Sequence, residues 1–222
     1  MKDAESPEPL LTPTLLLRAY AAGVFPMAES SGSDAVFWVD PRKRGILPLN
    51  GFHLSRSLRK RLLRDDYVVR IDRAFEAVIE GCAARPETWI NAPIRRLYVD
   101  LHRVGHAHSI EVWMGGELAG GLYGVRLGAA FFGESMFSRA RDGSKIALAY
   151  TVARLKAGGF MLLDTQFTTP HLERLGARNV PRAHYHDLLT RALARRADFY
   201  SLAEDSPPDE VVQLITQRSY RG

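Results

Sequence analysis

The chain has 222 residues, 46% of them hydrophobic and 25% charged, which is enough apolar surface to offset chain entropy and excludes wholesale disorder. Its one cysteine, Cys82, excludes an internal disulfide framework and any zinc site built from several cysteines. The net charge of +5 is too mild to name a partner, so the placement of the basic residues carries more information than their sum. No run reaches the roughly 18 uncharged apolar residues of a membrane span. The first eleven residues, MKDAESPEPLL, lack the basic-then-apolar layout of a signal peptide. A cytoplasmic protein that does not contact membrane is the expectation.

In chain order, residues 1–11 read as a tail. Thr12-Pro13 then reads as a helix cap followed by a first-turn proline, opening a helix that closes at Gly23. Residues 28–35 have loop composition, and residues 36–39 and 45–49 read as short extended pieces, the second edge-like because of Pro48. The segment LSRSLRKRLLR, residues 54–64, repeats Leu54, Leu58 and Leu62 at helical spacing. Arg56, Lys60 and Arg64 fall on the opposite face, with Arg59 and Arg61 flanking it and no acid inside the segment. Such a face is either a solvated surface or a contact surface for a phosphate backbone.

A strand at 67–71 and helices at 73–84 and 91–105 follow. From residue 107 the period changes to two, and Gly115-Gly116 marks a tight hairpin. Residues 128–133 read as a third antiparallel strand, 144–159 as a helix with a glycine stop, and 161–164 as a short apolar strand ending in Asp164. Thr169-Pro170 opens a short helix, and residues 181–197 form another. The acidic, proline-containing stretch beyond 198 has no assignment. The change in pattern near residues 85–92 divides the chain into a small α+β part, 1–88, and an α/β part, 89–222.

Three groups of residues point to chemistry. Asp164, with Gln166 two residues on, ends an apolar strand, where ligand sites of α/β sheets gather; a buried carboxylate there needs a partner or a task. Glu134 follows the apolar AAFFG run at an apparent strand end. It reads either as an ion-pair partner of Arg139 or Arg141 or as an anionic clamp for a cation. Trp38 and Trp89 lie outside the main sheet pattern and suit either a core or the stacking of a base. No phosphate-binding GxxxxGK[ST] loop and no GxGxxG occurs. The histidines at 102, 106 and 108 lack a metal-like arrangement, so no metal is expected.

The segments LLLRAYAAGVFPM, FWVDPRKRGILPL, FHLSRSLRKRL, HAHSIEVW, GGLYGV, FFGESMFS, LLDTQ, HLERLGA and VPRAHY occur in this order. Together, over about residues 12–190, they resemble the leucyl/phenylalanyl-tRNA–protein transferase family. The resemblance implies a small N-terminal domain followed by an acetyltransferase-like (GNAT-like) domain with a mixed sheet and no cofactor. It implies transfer of Leu, Phe or Met from aminoacyl-tRNA to the α-amine of proteins beginning with Arg or Lys, which marks them for N-end-rule degradation. By position it assigns the reaction to Asp164 and Gln166, and the substrates to Glu134, Met136, Phe131, Trp38 and Trp89. It assigns tRNA phosphates to Arg56, Arg59, Lys60 and Arg61. Leu122 stands where the family can have Met, and Phe132 where it can have Cys, which bears on pocket shape and not on reaction type. Asp164 is expected to orient the attacking amine and take its proton directly or by relay, and Glu134 to attract the basic side chain of the acceptor. A monomer is expected. The alternatives are a related transferase with a different acceptor, a non-catalytic RNA-binding module and a coenzyme-A-dependent acyltransferase.

Overall fold

A computed structural model describes residues 11–33, 35–64, 66–85 and 88–217. Residues 1–10 of the expected tail lie outside these. The elements in order are α1 (Pro13–Ala21), β1 (Phe25–Met27), β2 (Phe37–Val39), β3 (Lys43–Ile46), α2 (Arg56–Leu62), β4 (Val68–Ile71), α3 (Phe75–Ala83), α4 (Ala92–Arg103), β5 (Ala107–Met114), β6 (Glu117–Leu127) and β7 (Ala130–Ser138). They continue as α5 (Gly143–Ala157), β8 (Leu162–Gln166), α6 (Pro170–Arg174), β9 (Arg178–Pro181), α7 (Arg182–Leu193) and α8 (Pro208–Thr216).

Local chemistry starts the helices where the sequence placed them. The side chains of Thr12, Ser55, Asn91 and Thr169 each accept a backbone N–H three residues on, at 2.8–3.2 Å. Proline occupies the first turn of α1, α4 and α6. Gly115 and Gly116 take φ of +58° and +85° between β5 and β6, a hairpin turn that needs two positive φ values.

Seven strands form one mixed sheet in the order β4-β5-β6-β7-β8-β3-β9, while β1 and β2 pair separately. Strands β3 and β4, which precede residue 88, lie in the same sheet as the strands that follow it. All pairings are antiparallel except β7 with β8, which run parallel and are joined through α5. The sheet separates two apolar layers. One holds Tyr20, Ile79, Tyr98, Phe132, Phe137 and Tyr185, and so covers α1, α3, α4 and α7. The other holds Leu58, Leu122, Phe131, Leu148, Phe199 and Val211, and so covers α2, α5 and α8.

Helix α5 is buried on every side from Ile146 to Leu155, and the previously unassigned C-terminal stretch supplies part of its cover. Val211, Val212 and Ile215 of α8 are buried in this layer. Arg154 of α5, 2% exposed, donates to the carbonyls of Phe199 at 2.9 Å and Leu202 at 2.7 Å, which fixes the approach to α8.

Candidate active site

A cavity of about 630 Å³ opens beside the parallel pair β7 and β8; its wall includes Met27, Trp89, Glu134, Met136, Gln166 and Phe167. Two backbone irregularities aim its polar groups.

The first lies on β7. Phe132 and Phe137 sit in the same apolar layer although they are five residues apart, whereas a regular strand changes face at every residue. A bulge corrects the phase: Tyr123 pairs with Ser135 and Gly124 with Gly133, leaving Glu134 without a partner on β6. Glu134 is therefore in mid-strand, not at the strand end expected from GAAFFG, and the bulge turns it toward α1 and α4. Its Oε1 accepts the Tyr20 hydroxyl at 2.6 Å, its Oε2 accepts the Tyr98 hydroxyl at 2.7 Å, and the two hydroxyls lie 2.7 Å apart. Burial pushes the Glu134 carboxyl up to about 7; the two tyrosine hydrogen bonds oppose this less strongly, nearby Asp164 adds to it and Arg44 subtracts. Both tyrosines are held neutral, by burial first.

The second irregularity ends β8. Gln166 has φ +54°, and the N–H of Phe167 donates to the carbonyl of Thr165 at 2.6 Å, closing a γ-turn around Gln166. This backbone region costs a residue with a side chain about 1–3 kcal/mol. Two neighbours hold it. Asp164 Oδ1 accepts the Gln166 N–H at 2.8 Å. Gly45 of β3 lies against the turn so closely that a Cβ there would meet the Phe167 carbonyl carbon at 2.5 Å. The turn sends Gln166 Nε2 to Glu134 Oε1 at 3.1 Å and leaves Phe167 44% exposed at the rim. Gly45→Ala is expected to displace this turn at a cost of about 1–3 kcal/mol. Thermal unfolding checks it, and an unchanged melting temperature would mean that the turn does not depend on β3.

Asp164 does not border the cavity. It is fully buried behind the wall, and both its oxygens are occupied. Arg44 donates Nε to Oδ1 at 3.0 Å and Nη2 to Oδ2 at 2.7 Å, and the Tyr185 hydroxyl donates to Oδ2 at 2.6 Å. Arg44, 1% exposed, also donates to the carbonyl of Gly23 at 2.9 Å and lies over the rings of Phe25 and Tyr185, at 4.3 and 4.5 Å. Burial is the largest influence on this guanidinium and works against its charge, but Asp164 and the other nearby groups more than offset it. Tyr20, Tyr98, Arg44 and Tyr185 are the site residues that sequence reasoning did not find.

Of the residues singled out from the sequence, Glu134, Met136, Trp89 and Gln166 meet at the cavity. Phe131 and Leu122 lie in the second apolar layer and not in the wall, because Phe132, adjacent to Phe131, takes the near face against Tyr20 at 4.5 Å. Phe131 packs instead on Phe199, with ring centroids 5.5 Å apart. Trp38, 39% exposed, stands outside the wall on β2. On α2, Arg56, Arg59 and Lys60 are exposed. Arg61 differs: its guanidinium pairs with Asp66, lies 5.3 Å from the Tyr67 ring centroid and is 11% exposed. A second cleft of about 1040 Å³, with Lys60, Arg64, Arg141, Lys145 and Arg174 among its lining, shares His171 with the first. Among the described residues no three of His, Cys, Asp or Glu gather closely enough to hold a metal ion, and no helix is long and apolar enough to cross a membrane.

Comparison with known proteins identifies the family. Residues 46–190 match the family model for leucyl/phenylalanyl-tRNA protein transferase, and residues 10–42 match the model for its N-terminal domain. A Ruegeria pomeroyi protein named leucyl/phenylalanyl-tRNA–protein transferase is 59% identical over 209 residues, covering 94% of this chain and 99% of its own. A Cereibacter sphaeroides protein of the same name is 57% identical over 211 residues, covering 95% and 99%. One from a Jannaschia species is 57% identical over 201 residues, covering 90% and 95%. The chain belongs to the leucyl/phenylalanyl-tRNA–protein transferase family.

Proposed function

We propose that this chain transfers Leu, Phe or Met from aminoacyl-tRNA to the α-amine of proteins that begin with Arg or Lys, marking them for N-end-rule degradation. The observation that carries the reading is the cavity wall itself. Glu134, the sole carboxylate among its described residues, is hydrogen-bonded to the Gln166 amide beside apolar Met136 and Trp89.

The reaction is aminolysis of an ester. An α-amine has an ordinary pKa of about 7.7–8.0, so part of it is already neutral at pH 7 and positioning supplies most of the gain. Glu134 receives the amine, and the second N–H of the Gln166 amide meets the developing oxyanion. Asp164, closed off by Arg44 and Tyr185, acts through the turn: its carboxylate fixes the Gln166 backbone and thereby aims the amide. The donor side chain lies against Met136, which is backed by the layer containing Phe131 and Leu122. One methylene in such a pocket is worth only about 1–3 kcal/mol, consistent with tolerance of several apolar donors. Trp89 stacks the terminal base, and Trp38 lies farther along the strand's path.

Exposed Arg56, Arg59 and Lys60 contact tRNA phosphates, and the second cleft carries the strand toward the cavity. Replacing all three by Ala is expected to lower the slope of log K against log salt by roughly 2–3, since each contact contributes about 0.7–0.9. Filter binding of aminoacyl-tRNA across a salt series measures it; an unaltered slope removes α2 from the interface.

The activity test uses preformed Phe-tRNA with peptides beginning in Arg, Lys, Asp, Glu or Ala. Transfer to the Arg and Lys peptides supports the proposal. Transfer only to the Asp and Glu peptides assigns a different acceptor class, and tRNA binding without transfer assigns a non-catalytic RNA-binding role.

A further inference from the structure

Three short contacts join three oxygen-bearing groups at the cavity wall: Tyr20 to Glu134 at 2.6 Å, Tyr98 to Glu134 at 2.7 Å and Tyr20 to Tyr98 at 2.7 Å. Each contact at such a distance requires one proton between its oxygens. A tyrosine hydroxyl has one proton to donate, so the two tyrosines supply two. The Gln166 amide fills a separate position on Oε1 and contributes nothing to the ring. With Glu134 ionised, one pair of oxygens would face each other through lone pairs alone. We infer that Glu134 is a neutral carboxylic acid in the resting protein, and that Tyr20 and Tyr98 are positioning residues that keep its proton in place for delivery to the substrate.

The surroundings favour that state. Tyr20 and Tyr98 are fully buried on α1 and α4. Tyr123 of β6 packs its ring edge-on to Tyr98, with centroids 5.3 Å apart, and its buried hydroxyl has no partner among the described residues. Asp164 behind the wall repels a negative charge, while Arg44 beside it attracts one but is itself bound to Asp164 in bidentate fashion. Arg85, just beyond the end of α3, borders the cavity but donates to the carbonyl of Met136. The elevated pKa of Glu134 has the same sign.

The inference rests on the proposed transfer reaction for its use, but not for its test. In that reaction the neutral amine nitrogen attacks the ester carbonyl and forms the C–N bond. Glu134 gives its proton to the ribose oxygen as the C–O bond breaks, and the surplus proton on nitrogen passes to the carboxylate. One amide and one hydroxyl result, and Glu134 ends as it began. A cationic first residue brought beside this acid favours its ionised form, so Arg or Lys at the acceptor terminus would promote release of the proton at the moment it is needed. This replaces a fixed anionic clamp at Glu134 with an acid that becomes anionic when the basic substrate arrives.

The test is infrared difference spectroscopy of the full chain without substrate, titrated from pH 5 to pH 9, subtracting Glu134→Gln from wild type. A carboxylic-acid carbonyl band present in wild type at pH 6, absent from Glu134→Gln and lost with a midpoint near 7 is expected. Tyr98→Phe removes two contacts and one proton from the ring, so an ionised Glu134 no longer leaves a contact unfilled. Its midpoint should fall by at least one pH unit. Hydroxyls that only donate to an ionised Glu134 hold its pKa down, so a rise on their loss would overturn the inference. Tyr20→Phe serves the same purpose should Tyr98→Phe not fold. A merely structural tyrosine would alter stability and leave the midpoint in place. Absence of the band at pH 6, or a midpoint unmoved by loss of a hydroxyl, overturns the inference, and neither result bears on whether the chain transfers amino acids.

Discussion

Glu134→Gln is expected to lose about 10²- to 10⁴-fold in single-turnover transfer from preformed Phe-tRNA, the usual range for removing a positioned acid–base group, while folding as well as wild type or better. The glutamine amide has nearly the shape of a carboxylic acid and supplies the third proton of the tyrosine ring through its N–H. What it cannot do is exchange that proton with a substrate. The stability effect has a definite sign. The folded carboxyl holds its proton up to about 7, above the ordinary value of 4.5. Wild-type stability associated with this group is therefore complete below the unfolded value and is lost as pH rises through the folded one. The full span is at most roughly 3 kcal/mol, and water in the cavity reduces it. The variant should thus gain melting temperature over wild type above pH 7 and match it near pH 4. Near-wild-type transfer by the variant would remove Glu134 from the chemistry, and parallel stability curves would remove the elevated pKa.

The largest loss of stability is expected at Asp164. Asp164→Ala leaves the Arg44 guanidinium buried without a counter-charge and the Tyr185 hydroxyl and Gln166 N–H without an acceptor. Removing one partner of a buried pair costs about 3–5 kcal/mol, which is roughly 6–20 °C in melting temperature for a chain of this size. Removing both charges with apolar residues, as in Arg44→Leu with Asp164→Leu, is expected to recover much of that loss, because no uncompensated charge then remains. The recovered fold should still transfer poorly, since nothing holds the turn at Gln166. Thermal unfolding of the single and double variants gives the coupling directly. A drop below about 2 °C for Asp164→Ala would mean that the pair is not closed off from water, and Asp164 would again be available as a base.

The sequence was most legible where structure is set by neighbours. Thr12, Asn91 and Thr169 cap helices because a side-chain oxygen and a backbone N–H three residues away need nothing else. Gly115-Gly116 marked the hairpin for the same reason. Strands β1 and β9 did not show themselves. Each has three or four residues, and β9, with only Val180 buried, is a strand because β3 lies beside it. Helix α8 was obscured by acids and prolines around an apolar stripe whose partner, α5, is far away in the chain.

The site divides in the same way. Glu134, Trp89 and Gln166 were visible as polar or aromatic residues beside apolar runs, and Met136 only through the family resemblance. Gly133 looked like the end of a strand, and the bulge that carries β7 on to Ser138 depends on pairing with β6. Arg44 is one basic residue in the run Arg42-Lys43-Arg44, and its partner Asp164 lies 120 residues later. Tyr20 and Tyr98 lie within α1 and α4 with nothing local to mark them, and only the meeting of α1, α4 and β7 gives their hydroxyls a common target. The ordered motifs nevertheless pointed to the family that the matches over residues 10–42 and 46–190 show.

The claim that Glu134, and not Asp164, meets the attacking amine is tested most directly by a crystal structure of the chain with an amide-linked 3′-phenylalanyl-adenosine and a peptide beginning in Arg. The peptide nitrogen should lie within about 3.2 Å of a Glu134 carboxyl oxygen, with the Gln166 amide facing the donor carbonyl and Asp164 still enclosed by Arg44 and Tyr185. A nitrogen seated against Asp164, with Glu134 shut away behind its two tyrosines, would contradict it.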